Sequence, residues 1–306
     1  MTRIFIDGAA GTTGIQIRDR LSGRDEFDLI TLGDEARKDD AARAGAINAA
    51  DIVILCLPDE AARQSVAMIA NGTTRVIDAS TAHRTAPGWI YGLPEISGRE
   101  AVAKARFVSN PGCYSTGFIA LVAPLVAAGL IPADAALSCN AVSGYSGGGK
   151  SMIAEYESAD GAPSAWRTYA LGLAHKHVPE MQARCGLTRR PLFAPAVVPL
   201  YSGMVCEVPL FREMTNGSAD QMRTALADHY AGSPIISVAQ DYEPATLPVE
   251  MLSGQDSMRL FVFADPASDQ IRLVAALDNL GKGASGAAVQ SLNLMTDLPE
   301  TTGLRL

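Results

Sequence analysis

Basic charge is scarce in this chain. Lysine and arginine number 25 against 33 aspartate and glutamate, a net charge of −8. No lysine- or arginine-rich run breaks that balance, so nothing in the composition supports a nucleic-acid or membrane-surface partner. Cysteine is sparse as well. Five residues, at positions 56, 113, 139, 185 and 206, make an odd count without a CxxC pair. That argues against a disulfide framework and for a reducing cytoplasm. Cys56, Cys139 and Cys206 fall inside strand-like runs and are expected to pack as small hydrophobes. The longest apolar run, residues 117–131, contains Pro124 and Gly129 and is shorter than the roughly 20 residues that cross a bilayer. It reads as a buried helix. Histidine is limited to four residues with no ligand set at metal spacing, so no metal site is expected. The N-terminus enters a strand almost at once, which is not the pattern of a signal peptide. There is no internal repeat and no low-complexity tract. The 306 residues suffice for two domains, or for one large α/β unit with an insertion.

What is present begins with glycine. The apolar strand Arg3, Ile4, Phe5, Ile6 runs directly into Gly8-Ala9-Ala10-Gly11-Thr12-Thr13-Gly14, and a helical pattern follows through Ile15, Ile17 and Leu21. Strand, glycine turn and helix in that order form the context of a dinucleotide fingerprint, here spaced GxxGxxG. Such a turn lets the backbone approach a pyrophosphate at the helix N-terminus, so Gly8, Gly11, Thr12, Thr13 and Gly14 are cofactor candidates. A second strand is expected over residues 27–32. Beyond it, Asp34 would suit a free ribose 2′-hydroxyl, whereas Arg37 and Lys38 would suit a 2′-phosphate; a solvated charged loop is the alternative. The continuous apolar run 51–57 has the character of a parallel strand buried on both faces. A helix after Pro58 and a strand at 76–78 continue an alternation that argues for a doubly wound sheet. The loop over residues 79–95 then leaves the carboxyl end of a strand, where such sheets place ligands. Arg84 on it is a candidate for a phosphate or carboxylate, although an arginine on the surface is the commoner case.

Residues 109–117 join a strand to a long helical pattern and carry Cys113. A thiol at a helix N-terminus meets backbone N–H groups and the positive end of the dipole, which lower its pKa from about 8.5. Location alone leaves two readings, a reactive thiolate or a buried cysteine opening a core helix. Farther on, a strand ends in SGYSGGGK (residues 143–150), whose glycine N–H groups beside Ser143, Gly144 and Lys150 would form an anion nest. A flexible linker is the competing reading. His175, His177 and Glu180 lie together in HKHVPE. Glu180 would orient His177 as a base toward Cys113, with His175 nearer the substrate; the spacing does not choose between the two histidines. The remaining chain is β-rich, with strands near 196–199, 204–211, 258–264 and 270–277 and a turn at 265–269. This describes a mainly antiparallel sheet with helices on one face. The last of these strands alternates like a half-buried one. A closing apolar helix follows residues 278–286.

The glycine turn, SNPGCYST around Cys113, SGYSGGGK, HKHVPE and DNLGKGASGAAVQSLNLM occur in this order across nearly the whole chain. Together they resemble the N-acetyl-γ-glutamyl-phosphate reductase family in its shorter variant, within the aspartate-semialdehyde and glyceraldehyde-phosphate dehydrogenase-like group. Lys176 and Gly281 stand where longer members carry HRHxPE and NLVKGA. The resemblance implies an α/β protein with a Rossmann-like dinucleotide-binding domain (1–113 and 282–306). An α+β catalytic and oligomerisation domain (114–281) would follow. It implies NADP as cofactor, an acyl-phosphate substrate, Cys113 as nucleophile and a histidine as acid/base. Asn279 and Lys282 would border the nicotinamide end, and a homodimer or tetramer is expected. Rival readings are a sibling aspartate-semialdehyde or aminoadipyl-phosphate reductase, and a dinucleotide-sensing protein without catalysis. A cysteine acyltransferase or hydrolase is disfavoured by the glycine turn.

Overall fold

The computed structural model describes residues 1–265 and 267–306. The chain divides into two compact units, one of Met1–Pro111 with Ala284–Leu304, the other of Gly112–Gly283 with Arg305–Leu306.

The first unit is built on a six-stranded parallel sheet. Its strands are β1 (Thr2–Asp7), β2 (Phe27–Ile30), β3 (Ile52–Leu55), β4 (Arg75–Asp78), β5 (Ile90–Tyr91) and β6 (Phe107–Ser109), in spatial order β2-β1-β3-β4-β6-β5. Side chains on a strand alternate faces, and the sequence uses both. Ile4, Ile6, Ile52, Ile54 and Ile77 join Ile17 of the helix Thr12–Leu21 in one apolar cluster, together with Val289 and Leu292 of the helix Gly286–Met295. Phe5, Val53, Leu55 and Val76 pack on the other face against Ile47 and Ala62. All four residues of β3 are buried, which explains its unbroken apolar run. At about 1.5–3 kcal/mol per fully buried large aliphatic side chain, these two layers dominate the stabilisation of the unit. β2 ends at Ile30, two residues short of the expected 27–32, and Leu29, Ile30, Thr31 and Leu32 all line one cavity.

The second unit carries a seven-stranded mixed sheet of β7 (Ser138–Gly144), β8 (Arg167–Thr168), β9 (Leu192–Val198), β10 (Met204–Leu210), β11 (Ile236–Val238), β12 (Met258–Asp265) and β13 (Gln270–Leu277). The order is β11-β12-β13-β10-β7-β9-β8. Pairing is antiparallel except between β11 and β12 and between β7 and β9. β12 and β13 pair antiparallel from Met258 opposite Leu277 to Asp265 opposite Gln270; the turn expected at 265–269 includes Pro266, which lies outside the described residues. The helix Cys113–Ala127 sits close on this sheet because Gly117 has no side chain: a Cβ there would lie 2.9 Å from the Cys206 sulfur. Pro124 falls inside that helix and cannot donate to the carbonyl of Ala120. Tyr230 replaces the missing donor, its hydroxyl reaching Ala120 O at 2.7 Å. β13 departs from the half-buried strand its alternation suggested. From Leu273 onward it is buried on both faces, because Val274 and Ala276 on the second face are covered by Tyr242, Leu247, Met251 and Leu252. Coverage of that face comes from a distant segment, which alternation within one strand does not report.

Candidate active site

Cys113 is the first residue of its helix, with Gly112 as the cap and no side chain capping it. Its residue is half-buried, whereas Cys139, Cys185 and Cys206 are fully enclosed. Burial pushes the Cys185 thiol up, and it pushes Cys56 up to about 12 with the help of the Asp78 and Asp7 carboxylates. Those thiols stay protonated at neutral pH; Cys56 is half-buried like Cys113 but does not open a helix, so position at a helix start singles out Cys113. Gly283 lies against it: a Cβ on Gly283 would stand 2.9 Å from the Cys113 Cβ. Only glycine allows this approach, and the sequence signal for it was the glycine run after Asn279.

The histidine segment reaches the same place. His177 is buried and caps the helix Val178–Arg184, in which Pro179 is the second residue, where a missing N–H costs nothing. The His177 N–H donates to His175 Nδ1 at 3.2 Å, and the two rings meet edge-on at 4.6 Å. His175 is more exposed and packs on Phe193 and Tyr169. Two hydrogen bonds tie this segment to the cysteine helix. The Ser115 hydroxyl donates to His177 O at 3.4 Å, and the Gly112 N–H donates to the buried Glu180 Oε2 at 3.2 Å. Tyr114, whose ring faces His177 at 5.9 Å, donates its hydroxyl to Ala196 O at 3.1 Å. Burial raises the pKa of the Tyr114 and Tyr169 phenols, which keeps both as neutral hydrogen-bonding groups. Neither tyrosine stood out in the sequence.

The loop over residues 143–150 is more fixed than a glycine run suggests. Gly144 is required because a Cβ would come within 2.7 Å of the carbonyls of Leu200 and Tyr201. Ser143 is buried and donates to Gly144 O at 2.9 Å, while Lys150 is exposed in the first turn of the helix Gly149–Tyr156. Asn279 holds the loop. Its Oδ1 accepts from Gly203 N–H at 3.0 Å and its Nδ2 donates to Ser146 Oγ at 2.9 Å. Next to it the buried Asp278 carboxylate accepts from the N–H groups of Gly254, Leu280 and Gly281 at 2.6, 2.6 and 2.9 Å. Lys282 is almost fully buried.

In the first unit the glycine turn fits a nucleotide. Gly8 has φ +88°, and a Cβ would lie 2.3 Å from Cys56 O. A Cβ on Gly14 would lie 2.5 Å from Gly8 O, so the turn and the start of the helix touch backbone to backbone. Gly11 caps the helix Thr12–Leu21, so Thr12 and Thr13 supply its first N–H groups. Beside this turn is a cavity of about 430 Å³ lined by Gly8, Ala9, Ala10, Thr31, Asp34 and Arg37 among others. Lys38 is exposed and is not part of that lining. Arg84 also belongs to this unit. It is buried, and its Nε donates to Asn110 O at 3.0 Å. Its neighbour His83 is anchored with Nδ1 2.6 Å from the fully buried Asp78 and with its ring stacked on Trp89 at 4.1 Å. Among the described residues no group of three His, Cys, Asp or Glu could hold a metal ion, and no helix is long and apolar enough to cross a membrane.

Comparison with known proteins covers both units. The semialdehyde dehydrogenase NAD binding domain family matches residues 3–105, and the semialdehyde dehydrogenase dimerisation domain family matches residues 113–279. N-acetyl-γ-glutamyl-phosphate reductase 2 of Pseudomonas putida is 50% identical over 300 residues, covering 95% of this chain and 96% of that protein. The N-acetyl-γ-glutamyl-phosphate reductase of Brucella ovis is 50% identical over 304 residues, covering 96% and 98%. Among solved structures, aspartate semialdehyde dehydrogenase II of Vibrio cholerae superposes with a TM-score of 0.73 at 20% identity over 97% of this chain and 99% of the other, a likeness of fold.

Proposed function

This chain belongs to the N-acetyl-γ-glutamyl-phosphate reductases, within the semialdehyde dehydrogenase family, and from that membership we infer its reaction. It reduces N-acetyl-γ-glutamyl phosphate to N-acetylglutamate 5-semialdehyde and phosphate, with NADPH as reductant, in arginine biosynthesis. The observation that carries the chemistry is Cys113 at a helix start, half-buried, with His177 and His175 on a segment tied to that helix. We assign the first unit to the dinucleotide and the second to catalysis and homo-oligomer formation. Five scattered cysteines without a disulfide among the described residues suit a cytoplasmic enzyme.

In this reading the Cys113 thiolate attacks the acyl carbon, a C–S bond forms and the bond to phosphate breaks. N–H groups at the helix start stabilise the oxyanion as it develops. The glycine turn of the first unit would hold NADPH, whose chemistry would be the hydride that the resulting thioester needs to reach the aldehyde level. His177 removes the thiol proton at the outset, gives it to the hemithioacetal oxygen and takes it back as the C–S bond breaks and the electron pair returns to sulfur. His175, more exposed and bonded to the His177 backbone, serves the substrate side. Glu180 positions the pair by holding Gly112, so the cysteine and histidine helices keep one geometry. Ser143, Gly144, Lys150 and Arg84 remain our candidates for the substrate anions, with Asn279 and Lys282 toward the nicotinamide.

The test is the reverse reaction. Purified protein should reduce NADP in the presence of N-acetylglutamate semialdehyde only when phosphate is added. An equal or faster rate with aspartate semialdehyde would overturn the substrate assignment, and no phosphate dependence would overturn the acyl-phosphate chemistry.

A further inference from the structure

The cavity beside the glycine turn holds more charge than a dinucleotide turn alone requires. Its charged lining residues are Asp7, Arg18, Asp34, Arg37 and Arg43. Two of these neutralise each other. Arg43 Nη2 lies 3.0 Å from Asp7 Oδ2, the Ser65 hydroxyl donates to the same oxygen at 2.8 Å, and all three residues are buried. That leaves Arg18, Arg37 and Asp34 at the rim. The Arg18 and Arg37 side chains are 48% and 47% exposed, on different elements, the helix Thr12–Leu21 and the turn Ala36–Lys38. Each is ion-paired to an exposed carboxylate from its own segment, Asp19 for Arg18 and Asp34 for Arg37, both at 3.3 Å. Surface pairs of this kind contribute about 0–1 kcal/mol, so a phosphate dianion displaces them readily. The other wall of the cavity is apolar, with Ile30, Leu32, Leu57 and Ala61, a surface suited to a flat purine. The residue directly after β2 is Thr31, and the carboxylate farther along in the same lining, Asp34, is paired with Arg37 at 3.3 Å.

We propose that Arg18 and Arg37 form a guanidinium clamp for the 2′-phosphate of the dinucleotide, with Arg18, on the first helix, as a specificity-determining residue. This rests on the NADP reading above. Guanidinium forks match phosphate oxygens in pairs, and two forks from different elements of one cavity lining bracket a phosphomonoester. Asp34 is the gate of the clamp: it occupies Arg37 when no phosphate is present and repels a ligand phosphate that does not displace it.

The experiment is calorimetric titration of the full chain with 2′,5′-ADP and with 5′-AMP. The unaltered protein should bind 2′,5′-ADP more tightly. Arg18→Ala and Arg37→Ala should each weaken 2′,5′-ADP by about tenfold or more, the size of a charge-assisted hydrogen bond, and leave 5′-AMP unchanged. Arg18→Gln, which keeps the length of the side chain, should give the same loss, and Lys38→Ala should give none. Unchanged 2′,5′-ADP affinity in Arg18→Ala would overturn the clamp while leaving NADP preference standing. An equal loss for both probes would also overturn it, by showing a role in shaping the cavity. If the unaltered protein binds the two probes equally, the NADP reading fails and the clamp fails with it.

Discussion

The two units assemble their polar sites in opposite ways. In the first, the nucleotide turn and the cavity beside it draw on consecutive elements near the N-terminus, and two buried carboxylates each meet two side-chain partners. Asp7 meets Arg43 and Ser65, and Asp78 meets His83 and Ser80. In the second, Cys113, His175, His177, Glu180, Gly203, Asn279 and Gly283 come from segments far apart in sequence and are joined mainly through backbone groups. A site made from neighbouring elements is stabilised by its own local geometry. A dispersed one depends on the whole sheet to hold its parts in register, so its residues tolerate less movement.

The largest expected effect separates the units. Cys113→Ser should abolish turnover while NADPH still binds, as followed by quenching of protein fluorescence. Near-normal turnover would remove the cysteine mechanism. Next, His177→Asn should lower kcat by roughly 10²–10⁴-fold, the usual span of general acid–base catalysis, and remove one limb of the pH profile. His175→Asn should mainly raise KM. Exchanged phenotypes would make His175 the base.

Within the first unit the comparison is between buried and exposed charge. Arg43→Ala strands a buried carboxylate, and unfolding in urea should show a loss of about 3–5 kcal/mol. A loss below 1 kcal/mol would mean that Ser65 and water satisfy Asp7 without the guanidinium. The smallest effect belongs to Arg3 and Asp51, at 3.0 Å and half exposed. The hydrogen bond from Arg3 holds the Asp51 carboxyl below its ordinary value. A lowered folded-state pKa stabilises the protein above the unfolded value near 3.9 and is lost as pH falls through the lower, folded one. Asp51→Asn should therefore shift Tm slightly at pH 7 and progressively less as the pH falls below about 4, and a shift that does not change with pH would show that charge is not the cause.

Much of this architecture is legible in the chain because the causes are local. The unbroken run Ile52, Val53, Ile54, Leu55 announces a strand with two covered faces, and Pro111-Gly112 before an apolar stretch announces a helix start at Cys113. Other features are not local. β13 alternates as if one face were wet, yet residues near 242–252 cover it. Tyr114 and Tyr169 look like ordinary aromatics until the fold places them beside the histidines. Gly144 reads as part of a loose loop, but the carbonyls of Leu200 and Tyr201 forbid any side chain there.

The sequence by itself determined which chemistry-bearing residues exist, the order of strands and helices around them, and the family pattern they spell. Those follow from periodicity, turn residues and motif spacing, all of which act over a few residues. Only the tertiary structure decided that Gly112 N–H meets Glu180, that Asn279 pins the loop at Ser146 and Gly203, and that Arg18 shares a cavity with Arg37 while Lys38 does not. Each of these is a close approach between segments distant along the chain or on different elements. Such distances are set by how layers pack, where one missing Cβ at Gly117 or Gly283 moves a helix by more than any local propensity specifies.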